Sequence, residues 1–154
     1  MNTYSDIYLH IIFSVKYRDA VIGKYWLPSL HAYIASIFNS NGHTPIIVGG
    51  VEDHVHALVR YNPNQSIPDM VKEVKKGASS WINTTHQTMC KFAWQKGYGV
   101  FSYSRGQIEQ VKTYIQNQDA HHHGRNISHI DEFKHILDER GITYNIEYLP
   151  KELE

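Results

Sequence analysis

Residues Ile7 to Tyr17 leave the chain few choices. The run is rich in β-branched and aromatic residues, and it alternates. Leu9, Ile11, Phe13 and Val15 make one wholly apolar face, while Tyr8, His10, Ile12, Ser14 and Lys16 share the other. A period of two is the signature of a strand with one face on a core. The same period returns from Asp53 to Tyr61, where Val55, Ala57 and Val59 oppose His54, His56, Leu58 and Arg60. Pro45 to Val51 reads as a strand that reaches this one through a tight turn at Glu52-Asp53. Val100 to Ser104 reads as a fourth, after a turn around Gly97 and Gly99.

Between these runs the period changes to three and four. Leu27, Leu30, Tyr33, Ile34 and Ile37 predict a helix over Tyr25 to Ser40, stopped by Asn41-Gly42. Ser66, followed by Pro68 and Asp69, opens a second helix that runs to about Thr85. Its apolar stripe is Met70, Val71, Val74, Ala78, Trp81 and Ile82. Two more helices, Gln107 to about Ala120 and Ile130 to Arg140, precede an extended or irregular tail over Ile142 to Leu149. The order β-α-β-β-α-β predicts an α+β fold: a ferredoxin-like split βαβ antiparallel sheet with a C-terminal helical extension. With 154 residues the expectation is one domain, 1–154, with its own core.

Composition narrows the function. Fifteen basic and fifteen acidic residues cancel, so a general nucleic-acid binder is not indicated and basic residues would have to act locally. A lone Cys90 excludes a disulfide framework and a cysteine-based zinc knuckle. The first residues lack the pattern of a signal peptide, and no apolar run approaches the roughly 20 residues of a membrane span. A cytoplasmic protein is expected.

His54 and His56 are two apart on a strand, so both imidazoles stand on one face, about 7 Å apart along it. A surface pair on an amphipathic strand is one reading, and half of a metal site is the other. In the third helix Tyr114 and Gln118 are four apart and share a face. A tyrosine hydroxyl can act as a nucleophile and an amide oxygen as a hard metal ligand. Two imidazoles plus one oxygen suit Mn2+ or Mg2+ in a phosphoryl-transfer role, and zinc would also bind the histidines. Tyr103 rivals Tyr114, and Asp119 rivals Gln118 on charge but lies about 100° round the helix.

Asp53-His54-Val55-His56 resembles the histidine-hydrophobic-histidine (HUH) motif of single-strand DNA nucleases. Tyr114-Ile115-Gln116-Asn117-Gln118, followed by His121-His122, resembles the catalytic helix of the TnpA-like single-tyrosine transposases of the insertion-sequence 200/605 family. Phe13 to Arg18, Lys76 to Ser80 and Trp94 to Ser102 resemble further family segments in the same order, so the likeness covers most of the chain. The resemblance implies that Tyr114 attacks single-stranded DNA at hairpin-bearing element ends and forms a 5′-phosphotyrosine intermediate. It implies a metal, Mg2+ or Mn2+, held by His54, His56 and Gln118. It also implies a homodimer whose tyrosine helix can serve the partner's histidines, with Ser104-Arg105-Gly106 as a hinge.

His121 and His122 are either outer-shell groups of the metal or a polar helix end. Lys16, Arg18, Arg60, Lys75, Lys76, Arg105 and Lys112 are candidates for phosphate contact, and Tyr17 and Tyr61 for base stacking. Trp26, Trp81 and Trp94 are expected in the core. Two alternatives remain open at this point. One is a non-catalytic RNA- or DNA-binding module on the same sheet, and the other is a domesticated tyrosine transposase acting at repeated palindromes.

Overall fold

A computed structural model describes residues 3–85, 87–124 and 127–154. Four strands, β1 (Ile7–Ser14), β2 (Thr44–Val51), β3 (His54–Tyr61) and β4 (Gly99–Tyr103), form one sheet in the order β2-β3-β1-β4, antiparallel throughout. Helices α1 (Leu27–Ser40) and α2 (Ile67–Thr84) follow β1 and β3. This is the expected split βαβ sheet. After β4 come α3 (Ile108–Gln116), a π turn (Ala120–Gly124) and α4 (His129–Glu139).

Boundaries shift for local reasons. The first strand ends at Ser14 because the next backbone groups leave β3 and β4: Val15 N–H donates to Asp53 and Lys16 N–H to Ala93. The first helix starts at Leu27, where Pro28 occupies the first turn and lacks the N–H that an interior position needs. Ser66 caps α2 by accepting from the Asp69 N–H at 3.2 Å. The long third helix breaks at Asn117, and the chain runs on into the π turn.

The sheet is covered on both faces. On one, Leu9, Ile11, Phe13 and Val15 from β1 and Val55, Ala57 and Val59 from β3 meet Leu30, Ile34 and Phe38 of α1 and Met70, Val74, Ala78 and Ile82 of α2. Trp26, Trp81 and Trp94 pack at the margin of this core, partly buried. On the other face two smaller clusters hold the C-terminal helices. Val111 and Ile115 of α3 pack on Leu58. Phe133, Ile136 and Leu137 of α4 pack on Ile12 and Phe101. Each such buried side chain contributes about 1.5–3 kcal/mol. The histidine-bearing stretch of the sheet lies between these two clamps.

One histidine lies far from that stretch. His31 Nε2, on α1, is buried with no hydrogen-bond partner among the described residues, and burial lowers the imidazole pKa to about 4. The unfolded chain protonates this group near 6.5, so below that pH the unfolded state holds a proton that the folded state refuses. Stability should therefore fall as pH drops from about 6.5 to about 4, by roughly 2 kcal/mol near pH 5. His31→Leu should flatten this limb in thermal melts at about pH 5 and pH 7. An unchanged difference between the two melts would refute it.

Candidate active site

β3 carries His54 and His56 onto the face that α3 and α4 cover, and both are fully buried. The strand was expected to be half-buried; it is enclosed on both sides because α4 closes over what α3 leaves open. Gly49 of β2 lies directly opposite His56. It lets α3 approach: a Cβ there would sit 2.8 Å from the Ile115 Cγ2 and 3.0 Å from the Ile115 carbonyl oxygen. Ile115 is the residue after Tyr114, so this contact sets how deep the tyrosine helix sits. Gly49→Ala should push α3 outward at a cost of about 1–3 kcal/mol. Adduct formation on single-stranded DNA should fall about tenfold or more. Wild-type rates in a folded Gly49→Ala protein would show that helix depth does not matter.

Five side chains converge between the strands and the C-terminal helices. Among the described residues His54, His56, His122 and Glu132 each turn one ligand atom inward, all within 4.8 Å of one another, and all four residues are buried. Glu132 Oε1 lies 3.1 Å from His56 Nε2, 3.1 Å from His122 Nε2 and 3.4 Å from His54 Nε2. Gln118 Oε1 lies 3.0 Å from both His54 Nε2 and His122 Nε2. On the far side of each ring, Nδ1 is engaged. Asp53 holds that of His54 at 2.6 Å, the Ile127 carbonyl that of His122 at 2.6 Å, and His10 Nε2 that of His56 at 2.7 Å. With Nδ1–H donated outward, each Nε2 could give up its proton to admit a cation and offer it a lone pair, the arrangement that metal-binding imidazoles adopt.

Tyr114 stands at the edge of this centre, half-buried. Its ring meets that of His56 edge-on at 5.9 Å, and its hydroxyl donates to Glu132 Oε2. Gln118 Nε2 donates to the same oxygen at 3.0 Å. A cleft of about 710 Å³ opens on Tyr114 and Glu132 and is also lined by Tyr103, His121, Asp131 and His135. Burial and the adjoining Glu132 carboxylate raise the Tyr114 pKa above the ordinary phenol range. Burial opposes charge on Glu132, yet hydrogen bonds from the surrounding histidines hold its carboxyl well below the usual range. Burial likewise disfavours a charged His54, but Asp53 and Glu132 outweigh it and raise that imidazole to about 9. Burial lowers His56 and His129 to about 4.

The donor set of imidazole nitrogens, one carboxylate and one amide oxygen fits a divalent cation. The nitrogen donors favour Mn2+ or Zn2+ over Mg2+, which prefers oxygen. Of the residues expected in the site, the structure brings His54, His56, Tyr114, Gln118 and His122 together, and His121 Nε2 lies 3.6 Å from Glu132 Oε2. Asp119 is exposed, off the Tyr114 face. Within the single chain α3 packs on its own sheet, so Tyr114 meets its own histidines. Ser104, at the expected hinge, donates from its backbone N–H and its hydroxyl to Gln107 Oε1 at 3.0 and 3.1 Å.

Three participants escaped the sequence: Glu132, His10 and His129. His10 shares a strand face with Ile12, whose cross-strand partner is His56, so the strand pairing would have located it. His129 stacks on His54 with ring centroids 4.0 Å apart and meets Ser14 Oγ at 2.5 Å. Glu132 had no signal, because no spacing rule connects α4 to β3.

The proposed DNA contacts are dispersed. Lys75 donates to the Gln95 and Gly97 carbonyls at 2.9 and 2.5 Å, and burial lowers it to about 8. Arg60 and Arg105 both face Asp6, at 3.8 and 3.1 Å. The Tyr61 ring stacks on His43 at 5.3 Å, and its hydroxyl donates to the Gln65 carbonyl. Tyr17 packs against the core with Lys16 over its ring at 5.2 Å. Arg18 reaches the Leu153 carbonyl at 3.5 Å, Lys76 is exposed on α2, and Lys112 is half-buried on α3. No helix among the described residues is long and apolar enough to cross a membrane.

The sheet and site can now be set beside known proteins. Residues 3–118 match the family described as "Transposase IS200 like". The ISDra2 transposase TnpA of Deinococcus radiodurans is 28% identical over 114 residues, covering 71% of this chain and 81% of that protein. A crystal structure described as that of a transposase from Deinococcus radiodurans R1 superposes with a TM-score of 0.59 at 24% identity, covering 77% of this chain and 95% of the other. The structure of a REP-associated tyrosine transposase bound to a REP hairpin gives a TM-score of 0.55 at 10% identity, over 100% of this chain and 92% of that one. At these identities the two structures establish a shared fold. With most of its length matched, including the strand that bears both histidines and the helix that bears Tyr114, the chain belongs to the IS200-like transposases, the TnpA type of the insertion-sequence 200/605 family.

Proposed function

We propose that this transposase cleaves and rejoins single-stranded DNA through a 5′-phosphotyrosine at Tyr114, with a divalent ion, Mn2+ or Mg2+, held by His54, His56 and Gln118. The observation that carries the reading is the meeting of a tyrosine hydroxyl with a buried cluster of outward-anchored imidazoles and a carboxylate. Tyr114 attacks phosphorus, a P–O bond to the tyrosine forms, the bond to the 3′ oxygen breaks, and the proton lost by the phenol is balanced by the one the leaving 3′-hydroxyl gains. A second DNA 3′-hydroxyl then attacks the phosphotyrosine and restores a phosphodiester, so bond energy is conserved and no nucleotide cofactor is needed. A bound cation would polarise the scissile phosphate and oppose the burial and the Glu132 carboxylate that raise the Tyr114 pKa. Asp53 and His10 orient the two histidines.

The substrate reading, a hairpin-bearing single strand, is supported by family membership and by the fold shared with a hairpin-bound transposase. An open RNA-recognition sheet is disfavoured, since α3 and α4 occupy the face that such modules leave to bases. Packing of α3 on its own sheet supports a site served by the same chain, and a homodimer whose tyrosine helix can be exchanged is the alternative that the resemblance implies. Incubation of the protein with labelled single-stranded hairpin DNA and Mn2+ should yield a denaturation-resistant adduct, absent with duplex DNA and in chelator. No adduct on any single-stranded hairpin substrate would overturn the reading.

A further inference from the structure

We propose that Glu132, carried by α4, is itself a ligand of the divalent ion and also the residue that holds the Tyr114 hydroxyl in place. The inference rests on the reading that His54 and His56 bind an ion, and it extends the catalytic centre beyond the family match. That match ends at residue 118, and Glu132 lies fourteen residues later.

The two oxygens of Glu132 face different partners. Oε1 points at the converging Nε2 atoms of His54, His56 and His122, between 3.1 and 3.4 Å away. Oε2 accepts from Gln118 Nε2 and from the Tyr114 hydroxyl. The carboxylate thus spans the ion position and the nucleophile. Its place is set by its neighbours in α4. Ser128 caps the helix, accepting from the Asp131 N–H at 3.1 Å. Phe133 and Ile136 anchor it on Ile12 and Phe101, leaving Glu132 only 3% exposed.

A bland alternative is a carboxylate buried to neutralise one protonated histidine. Three imidazoles around one oxygen exceed that need, and each has its other nitrogen already engaged. A buried carboxylate is costly unless strongly compensated, and a dication among the same donors compensates it. Gln118 Oε1 lies on the same ring of donors, so Glu132 joins that amide and does not replace it. The second function follows from the spacing: a ligand with one oxygen on the ion and the other on Tyr114 places the nucleophile beside the phosphate that the ion would hold.

Calorimetric titration of Mn2+ into the full chain tests the first half. Glu132→Gln keeps the shape and removes the charge, and it should weaken Mn2+ at least tenfold. At saturating Mn2+ its adduct formation should still be at least tenfold slow, because Tyr114 loses its carboxylate acceptor. Mn2+ affinity within twofold of wild type would overturn the inference. His56→Ala run in parallel separates the two claims. If it loses Mn2+ while Glu132→Gln keeps it, only the role of Glu132 fails. If His56→Ala also binds Mn2+ like wild type, the underlying metal reading fails. Should Glu132→Gln not fold, wild-type crystals soaked in Mn2+ decide: an anomalous peak about 2.2 Å from a Glu132 oxygen supports the inference, and an ion on the histidines with that carboxylate turned away overturns it.

Discussion

Tyr114→Phe should abolish the covalent protein–DNA adduct while leaving hairpin binding near the wild-type level. The substitution removes one oxygen and keeps the ring that packs beside His56 and His10. The lost hydroxyl donates to Glu132 Oε2, but Gln118 Nε2 still donates to that oxygen at 3.0 Å. The stability cost should therefore be about 1 kcal/mol. The chemical cost is of another order. Loss of a nucleophile should lower strand cleavage by at least ~10⁴-fold. Denaturing gels read the adduct, and gel shifts with the same hairpin read binding. A full yield of adduct in the variant would reassign the nucleophile, and Tyr103, which lines the same cleft, would be examined first.

His56→Ala should eliminate metal-dependent cleavage, with a loss of about 10²-fold or more, since losing even an orienting partner of a metal ligand typically costs about 10–100-fold. His56 is fully buried between His10 and Glu132, so its removal deprives both of a partner. The melting temperature of the metal-free protein should fall, and Mn2+ should raise that of wild type but not that of the variant. Cleavage by the wild-type protein that persists undiminished in chelator would remove the metal from the mechanism, whatever the variant does. The two variants fail in different ways. Tyr114→Phe should still bind Mn2+, and His56→Ala should not.

The balance of charge around the cleft supports the proposed cation. Asp131, Glu132 and Glu139 line it, and a DNA phosphate would meet their repulsion in the absence of positive charge. The chain is neutral overall, and several of the basic residues proposed for phosphate contact already face acids or carbonyls of the same chain. On the proposed reading, attraction for a phosphate beside Tyr114 would come from the imidazoles and a bound ion.

What the sequence by itself determined was the set of elements and the face each side chain takes. Strand and helix periods differ, two against 3.6, so the apolar faces of β1, β3, α1 and α2 could be read directly. The same periods put His54 with His56 and Tyr114 with Gln118, because neighbours on one element are a matter of local geometry. Element ends were less legible, as at Ser14, where backbone partners outside the strand decide. The tertiary structure alone decided that both faces of the sheet are covered, that α3 docks on its own sheet, and that Glu132 reaches the histidines. Glu132 owes its position to Phe133 and Ile136 settling on Phe101 and on Ile12, a fit of shapes between segments that for Ile12 lie more than a hundred residues apart. No periodicity encodes such a contact, since packing depends on complementary volumes brought together only when the chain has folded.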